Sequence, residues 1–162
     1  RAMQVTPEHE LVTSLPVRYY TDPTHWAAER REIFAKEWQC VGFEYQVSKP
    51  GDYLTEVVAG WPIFVQRGND GALRAFHNLC PHRAGIIVHD GQGCQNNLVC
   101  RYHGWAFGQD GSLLNARDFG AEVPAEVGLT PVRVAVWRSI VFVCLSPDRP
   151  TSSPIGAKIF AS

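Results

Sequence analysis

Charge is scarce in this chain. Only 19% of its 162 residues are charged, and 15 Lys and Arg against 16 Asp and Glu leave a net charge of −1. That balance argues against a nucleic-acid binder resting on bulk positive charge. It also gives no reason to expect an anionic membrane surface as a partner. Methionine is nearly missing, Met3 being the only one. No apolar run reaches the roughly 18–20 residues that cross a bilayer. The first 13 residues carry Glu8 and Glu10 and lack the apolar stretch of a secretion signal, so a cytoplasmic, reducing setting is expected. The five cysteines, Cys40, Cys80, Cys94, Cys100 and Cys144, are an odd count without a regular framework, which makes disulfides a poor reading. Apolar and turn-forming residues are plentiful: 45% hydrophobic, with 14 glycines and 11 prolines. This composition fits one domain of ordinary size with a buried core, many turns and so β structure.

Residues 1–21 read as extended and irregular. Asp22-Pro23 is a helix start, with Asp22 placed to cap free amides and Pro23 suited to the first helical position. Trp26, Ile33, Phe34 and Trp38 then share one face, and Glu32 with Lys36 forms a favourable i, i+4 pair on the other. The spacing predicts an amphipathic helix over about 22–38, within an N-terminal extension of residues 1–39. After Gln39 the pattern shifts to short β runs. Runs 53–58 and 63–66 are separated by Ala59-Gly60, and Gly68-Asn69-Asp70-Gly71 leads into 73–78 as a hairpin signal. Gly108-Gln109-Asp110-Gly111 joins 105–107 to 112–114, and 132–137 pairs with 140–145. Residues 120–130 read as a loop, and 151–162 as a tail without a packing signal. Strands at this spacing suggest a mainly β antiparallel sandwich or barrel-like domain over 40–150.

The chemistry lies between residues 80 and 105. Cys80-Pro81-His82 is a Cys-x-His hook, and Cys100-Arg101-Tyr102-His103 is a Cys-x2-His hook. Each offers one sulfur and one nitrogen. Gly85 and Gly104 follow the hooks, and each is expected to let the backbone turn and bring amides toward a ligand. Zinc accepts Cys2His2 tetrahedrally, and a Rieske [2Fe–2S] centre uses two Cys on one iron and two His on the other. Zinc fingers usually pair like with like, whereas both hooks here are mixed and lie between β segments. Two mixed hooks suit a flat two-iron cluster.

Loops 80–85 and 100–105 resemble the Rieske domain of aromatic-ring-hydroxylating oxygenases, specifically the large (alpha) subunit. Tyr20-Thr21-Asp22-Pro23, Ile33-Phe34-Ala35-Lys36-Glu37-Trp38, Gly51-Asp52-Tyr53, Phe76-His77-Asn78-Leu79 before the first hook, Tyr102-His103-Gly104-Trp105 and Val141-Phe142-Val143 extend the similarity over about 18–150. The resemblance implies a Rieske-type antiparallel β-sandwich with a two-loop cluster-binding subdomain. It implies that Cys80 and Cys100 hold the buried iron, and that His82 and His103 hold the outer, reducible one. It implies an oxidoreductase of aromatic hydrocarbon catabolism of the dioxygenase type. Electrons would come from a reductase or ferredoxin and pass to the catalytic domain of the same or a neighbouring alpha subunit. The mononuclear Fe(II) expected there has no ligand set in these 162 residues, so this chain is expected to relay electrons and not to hydroxylate. A stand-alone Rieske ferredoxin and a structural zinc module are the alternatives.

Respiratory-type Rieske proteins carry an extra Cys in each loop and a Ser near the second hook; Gly85, Tyr102 and Trp105 occupy those positions here. The expected potential is therefore at the low end of the roughly −150 to +300 mV Rieske range. Around the ligands, Arg83, Arg101, Tyr102 and Trp105 either tune the cluster or serve packing and hydrogen bonding. Cys40, Cys94 and Cys144 read as thiols without function, and His9, His25 and His89 as surface residues. His77 lies five before His82, but the mononuclear-iron motif needs an acid at position 74, which is Arg74.

Overall fold

The computed structural model describes residues 14–89, 91–117 and 126–148. Short helices α1 (Arg18–Thr21) and α2 (Pro23–Glu29) come first, followed by a wide turn at Arg30–Phe34. Among the described residues ten strands follow: β1 (Gln39–Phe43), β2 (Asp52–Val58), β3 (Trp61–Arg67), β4 (Leu73–His77), β5 (Gln92–Cys94), β6 (Leu98–Val99), β7 (Ala106–Phe107), β8 (Leu113–Asn115), β9 (Pro131–Trp137) and β10 (Ile140–Cys144). They form a seven-stranded sheet, ordered β1-β10-β9-β4-β3-β2-β5, and a three-stranded sheet, β6-β7-β8. Every strand pair is antiparallel. No helix among the described residues is long and apolar enough to cross a membrane.

The alternation of side chains along the central strands positions the site. On β3, Ile63 and Val65 enter one core with Val41, Leu54, Ala75, Val132, Val141 and Val143. Phe64, between them, enters the other with Tyr53, Phe76, Leu98, Trp105 and Phe107. Because both faces of β3 are covered, Ile63, Phe64 and Val65 are all fully buried. The second core contains Cys80 and Cys100, so the small sheet and both hooks are cemented to one face of the large sheet by aromatic packing.

Both hairpin signals hold. Gly68 N–H donates to Ala72 O at 2.8 Å, and Gly108 N–H to Ser112 O at 2.8 Å. The β9–β10 turn has Arg138 and Ser139 at φ of 48° and 62°, a left-handed pair without the glycine that would mark it in a sequence. The single helix predicted over 22–38 is instead broken. Asp22 is extended and accepts from Thr24 N–H at 2.8 Å, so α2 starts as expected. At Arg30 the helix widens, and Ala35 N–H reaches Arg30 O five residues back. Here the Arg30 guanidinium donates to Ala59 O at 2.9 and 3.1 Å, tying the segment to the β2–β3 turn. The predicted apolar face is only partly covered: Trp26 is 54% and Ile33 50% exposed, while Phe34 and Trp38 are half-buried. Glu32 does pair with Lys36 and also with Arg31; Arg31 first, then Lys36, pull its carboxyl down to about 2. Of the predicted loop 120–130, residues 120–125 lie outside the described residues, as do His9 and the tail 151–162. Within the described part of that loop, Leu129 N–H donates to Gly111 O at 2.8 Å.

Candidate metal centre

The two hooks share one backbone design. In the first, Cys80 N–H donates to Gly85 O and Ala84 N–H to Cys80 O, both at 2.8 Å. In the second, Cys100 N–H donates to Trp105 O and Gly104 N–H to Cys100 O, again at 2.8 Å. Each cysteine is thus clamped by bonds four and five residues ahead. The residue four ahead is left-handed in both, Ala84 at φ 53° and Gly104 at 73°. Gly104 therefore makes the turn expected of it. In the first hook that turn is made by Ala84, and Gly85 has another task. A Cβ on Gly85 would stand 2.9 Å from Cys100 Sγ and 3.2 Å from Tyr102 Cβ, so Gly85 is the space through which the hooks meet.

The structure brings all four predicted ligands together in two pairs. Cys80 and Cys100 are 3% and 1% exposed. Burial pushes the Cys80 thiol up, while the His82 and Arg83 amides aim at its sulfur and favour the thiolate. The His82 and His103 rings are half-buried and meet edge to face, centroids 4.6 Å apart. Burial, then His103 and Arg83, hold the His82 imidazole below its usual value, toward the neutral form that ligates metals. Aromatic plates back both rings. Trp105, 3% exposed, lies parallel to His82 at 4.8 Å across the hooks, and Tyr102 stacks on His103 at 3.9 Å. Among the described residues no three His, Cys, Asp or Glu donors close around a single ion. A buried sulfur pair beside a half-exposed nitrogen pair fits a two-iron cluster in donor chemistry.

Arg83, Arg101 and Tyr102 are exposed, and Gly104 is half-buried. Cys40 and Cys94 are exposed free thiols; Cys144 is buried, with Sγ 3.4 Å from Lys36 O. His77 is half-buried, edge-on to Trp61 at 5.8 Å, and joins no group of donors among the described residues. His89 is exposed, but His25 is half-buried, with its ring 4.5 Å from Tyr19. One functional residue had no assigned role from sequence. Asn78, 1% exposed, donates to Val88 O at 2.8 Å and accepts from Ile87 and Val88 N–H at 3.1 and 3.0 Å. It ties the chain just before the first hook to Ile87 and Val88 beyond it, and an Asn placed between a strand-like run and the hook was the available signal.

Comparisons with known proteins agree with this architecture. The chain is 36% identical over 158 residues to the chloroplastic choline monooxygenase of Spinacia oleracea, covering 96% of this chain and 35% of that protein. It is 33% identical to the carnitine monooxygenase oxygenase subunit of Escherichia coli K12, covering 90% and 41%. It thus spans little more than a third of these relatives. The apo form of a quaternary ammonium Rieske monooxygenase superposes with a TM-score of 0.80 at 35% identity, covering 85% and 41%. Naphthalene 1,2-dioxygenase from Rhodococcus sp. superposes with 0.78 at 25%, covering 85% and 33%. Aromatic hydrocarbon catabolism, expected from the motif, is not what these curated relatives are named for; the structural kinship to an aromatic dioxygenase stands. The model of the Rieske [2Fe-2S] domain matches residues 37–133, a stretch that contains both clamped hooks, and the chain belongs to that family.

Proposed function

We propose that this chain is the electron-transfer domain of an oxygenase alpha subunit, holding its [2Fe–2S] cluster through Cys80, Cys100, His82 and His103. When bound, the cluster supplies one-electron redox chemistry. Cys80 and Cys100 would bind as thiolates on the inner iron, in the core. His82 and His103 would bind as neutral imidazoles on the outer iron, near the surface. Trp105 keeps water from the inner side of His82. The observation that carries this reading is the duplicated clamp, which sets two sulfurs and two imidazoles in separate pairs. The domain is read as 40–150, with 1–39 as lead-in and 151–162 as tail.

For the whole protein, a quaternary ammonium substrate is the reading favoured by the choline and carnitine monooxygenase relatives. A reductase or ferredoxin would supply electrons, and a mononuclear iron in the same or a neighbouring subunit would receive them. Free thiols at Cys40, Cys94 and Cys144 suit a reducing compartment such as the cytoplasm. The test is iron and acid-labile sulfide analysis with visible spectroscopy. A red-brown protein with two irons per chain is expected, and His103→Ala or Cys100→Ala should lose the colour. A colourless protein holding one zinc would overturn the reading, as would a spectrum that survives either substitution.

A further inference from the structure

A cleft of about 460 Å³ opens between the wide turn at Arg30–Phe34 and the ends of β1 and β2, and it shares no residue with either hook. Volumes of this size hold small organic ligands. The cleft exists because the large sheet does not close: β1 and β5 are its edges, and β5 pairs only with Asp52, Tyr53 and Leu54 of β2. Glu56 lies in the open stretch. Leu54 and Val58, two residues to either side, are buried in the core, so alternation sends the Glu56 side chain to the same side of β2. It is nevertheless exposed, and it makes no ion pair among the described residues. An inward charge guards a free strand edge, but that role needs no aromatic company. Here Trp26 and Phe34 line the same cleft, their ring centroids 5.6 Å apart and their planes at 53°. Trp26 is half exposed, so its ring is open to a ligand. Aromatic faces beside a carboxylate attract organic ammonium ions.

The opposite charge is present as well. Arg30 lines the cleft, and its guanidinium is held on Ala59 O through Nε and Nη2. A guanidinium has five N–H donors, so this anchor fixes the group and leaves Nη1 for another acceptor. Arg30 and Glu56 do not bond to each other. Arg30 and Phe34 are the two ends of the wide turn and both reach the cleft, and such widenings concentrate at functional sites. We infer that this cleft binds a small betaine, whose quaternary ammonium group rests against Trp26 and Phe34 near Glu56 and whose carboxylate accepts from Arg30. A primary ammonium would bring three N–H donors to a wall of Val41, Val57 and Val58 with one carboxylate to meet them; a quaternary one brings none. The site is independent of the cluster reading, and it is separate from the substrate site proposed for the whole protein, whose mononuclear iron has no ligand set in this chain.

The test is calorimetric titration of the protein with glycine betaine. Saturable binding with a Kd on the order of 1 mM is expected. Two relatives of the ligand separate the charges: tert-butylacetate has carbon in place of the nitrogen, and choline lacks the carboxylate. Both should bind about fivefold more weakly or worse. Trp26→Leu should weaken glycine betaine about 2- to 30-fold. Glu56→Gln should weaken glycine betaine severalfold and leave tert-butylacetate unchanged. Trp26 and Glu56 are both exposed, and an unaltered melting temperature shows that each variant is folded. Absence of saturation up to about 50 mM, equal binding of either relative, or folded variants that bind as the parent does would overturn the assignment.

Discussion

Gly85→Ala isolates the space between the hooks. The added Cβ would stand 2.9 Å from Cys100 Sγ and 3.2 Å from Tyr102 Cβ, where unstrained contacts lie at about 3.5–4.0 Å. Rotamer changes cannot relieve this, because the Tyr102 atom is itself a Cβ and Cys100 is clamped by two 2.8 Å backbone bonds. The backbone of one hook must therefore move by about half an ångström or more, at a cost of about 1–3 kcal/mol. That movement separates the two cysteine sulfurs. If it is charged to the cluster-bound state, the hold on the cluster weakens roughly 5- to 150-fold. The assay is the rate of iron loss to a chelator, followed at the visible absorption, with far-UV circular dichroism to show that the chain is folded. Faster loss from a folded protein is expected. The neighbouring residue predicts the opposite sign: Ala84 sits at φ 53°, so Ala84→Gly relieves backbone strain and should raise stability by about 0.5–1 kcal/mol. A Gly85→Ala protein that keeps its cluster as long as the parent would refute the argument from space.

Replacing Asn78 by Ala leaves the Ile87 and Val88 amides without their buried acceptor, at about 2–5 kcal/mol; thermal melting should fall and cluster loss accelerate together, and an unchanged melting temperature would sink the role assigned to Asn78. His77 titrates below its usual 6.5 because of burial, so the unfolded chain binds its proton first. The stability it contributes is complete above pH 6.5 and is lost as pH falls from there through the lowered folded value. His77→Phe keeps a ring against Trp61 and should flatten the dependence of melting temperature on pH below 6.5; an identical slope in both proteins would count against it. Protein-film voltammetry should place the potential at the low end of the roughly −150 to +300 mV Rieske range, and a value near the top would remove the argument from Gly85, Tyr102 and Trp105.

What the sequence revealed and what it hid divide along the range of the interactions. The hooks and the two glycine-rich hairpins were legible because their signals are local: a donor, a turn residue and a spacing within a few positions. Even so, residue type misassigned the work inside the first hook. A glycine there suggested a turn, yet Ala84 takes the left-handed conformation and Gly85 makes room for the other hook, a partner fifteen residues away at Cys100. No one-dimensional pattern separates those two uses of glycine, because one depends on φ and the other on what lies across the gap. The helix shows the same limit. Its period predicted a continuous apolar face, but Arg30 reaches Ala59, 29 residues on, and the backbone widens where that contact is made. Strands β1, β5 and β6 were missed for a related reason. They are edge or short strands whose pairing comes from β10, β2 and β7 rather than from alternation within themselves. The same reasoning explains why the site was the most readable part of the molecule. Its histidines lie two and three residues after their cysteines, so the chemistry forces long-range geometry into a short-range code, and only the docking of one hook on the other had to come from the fold.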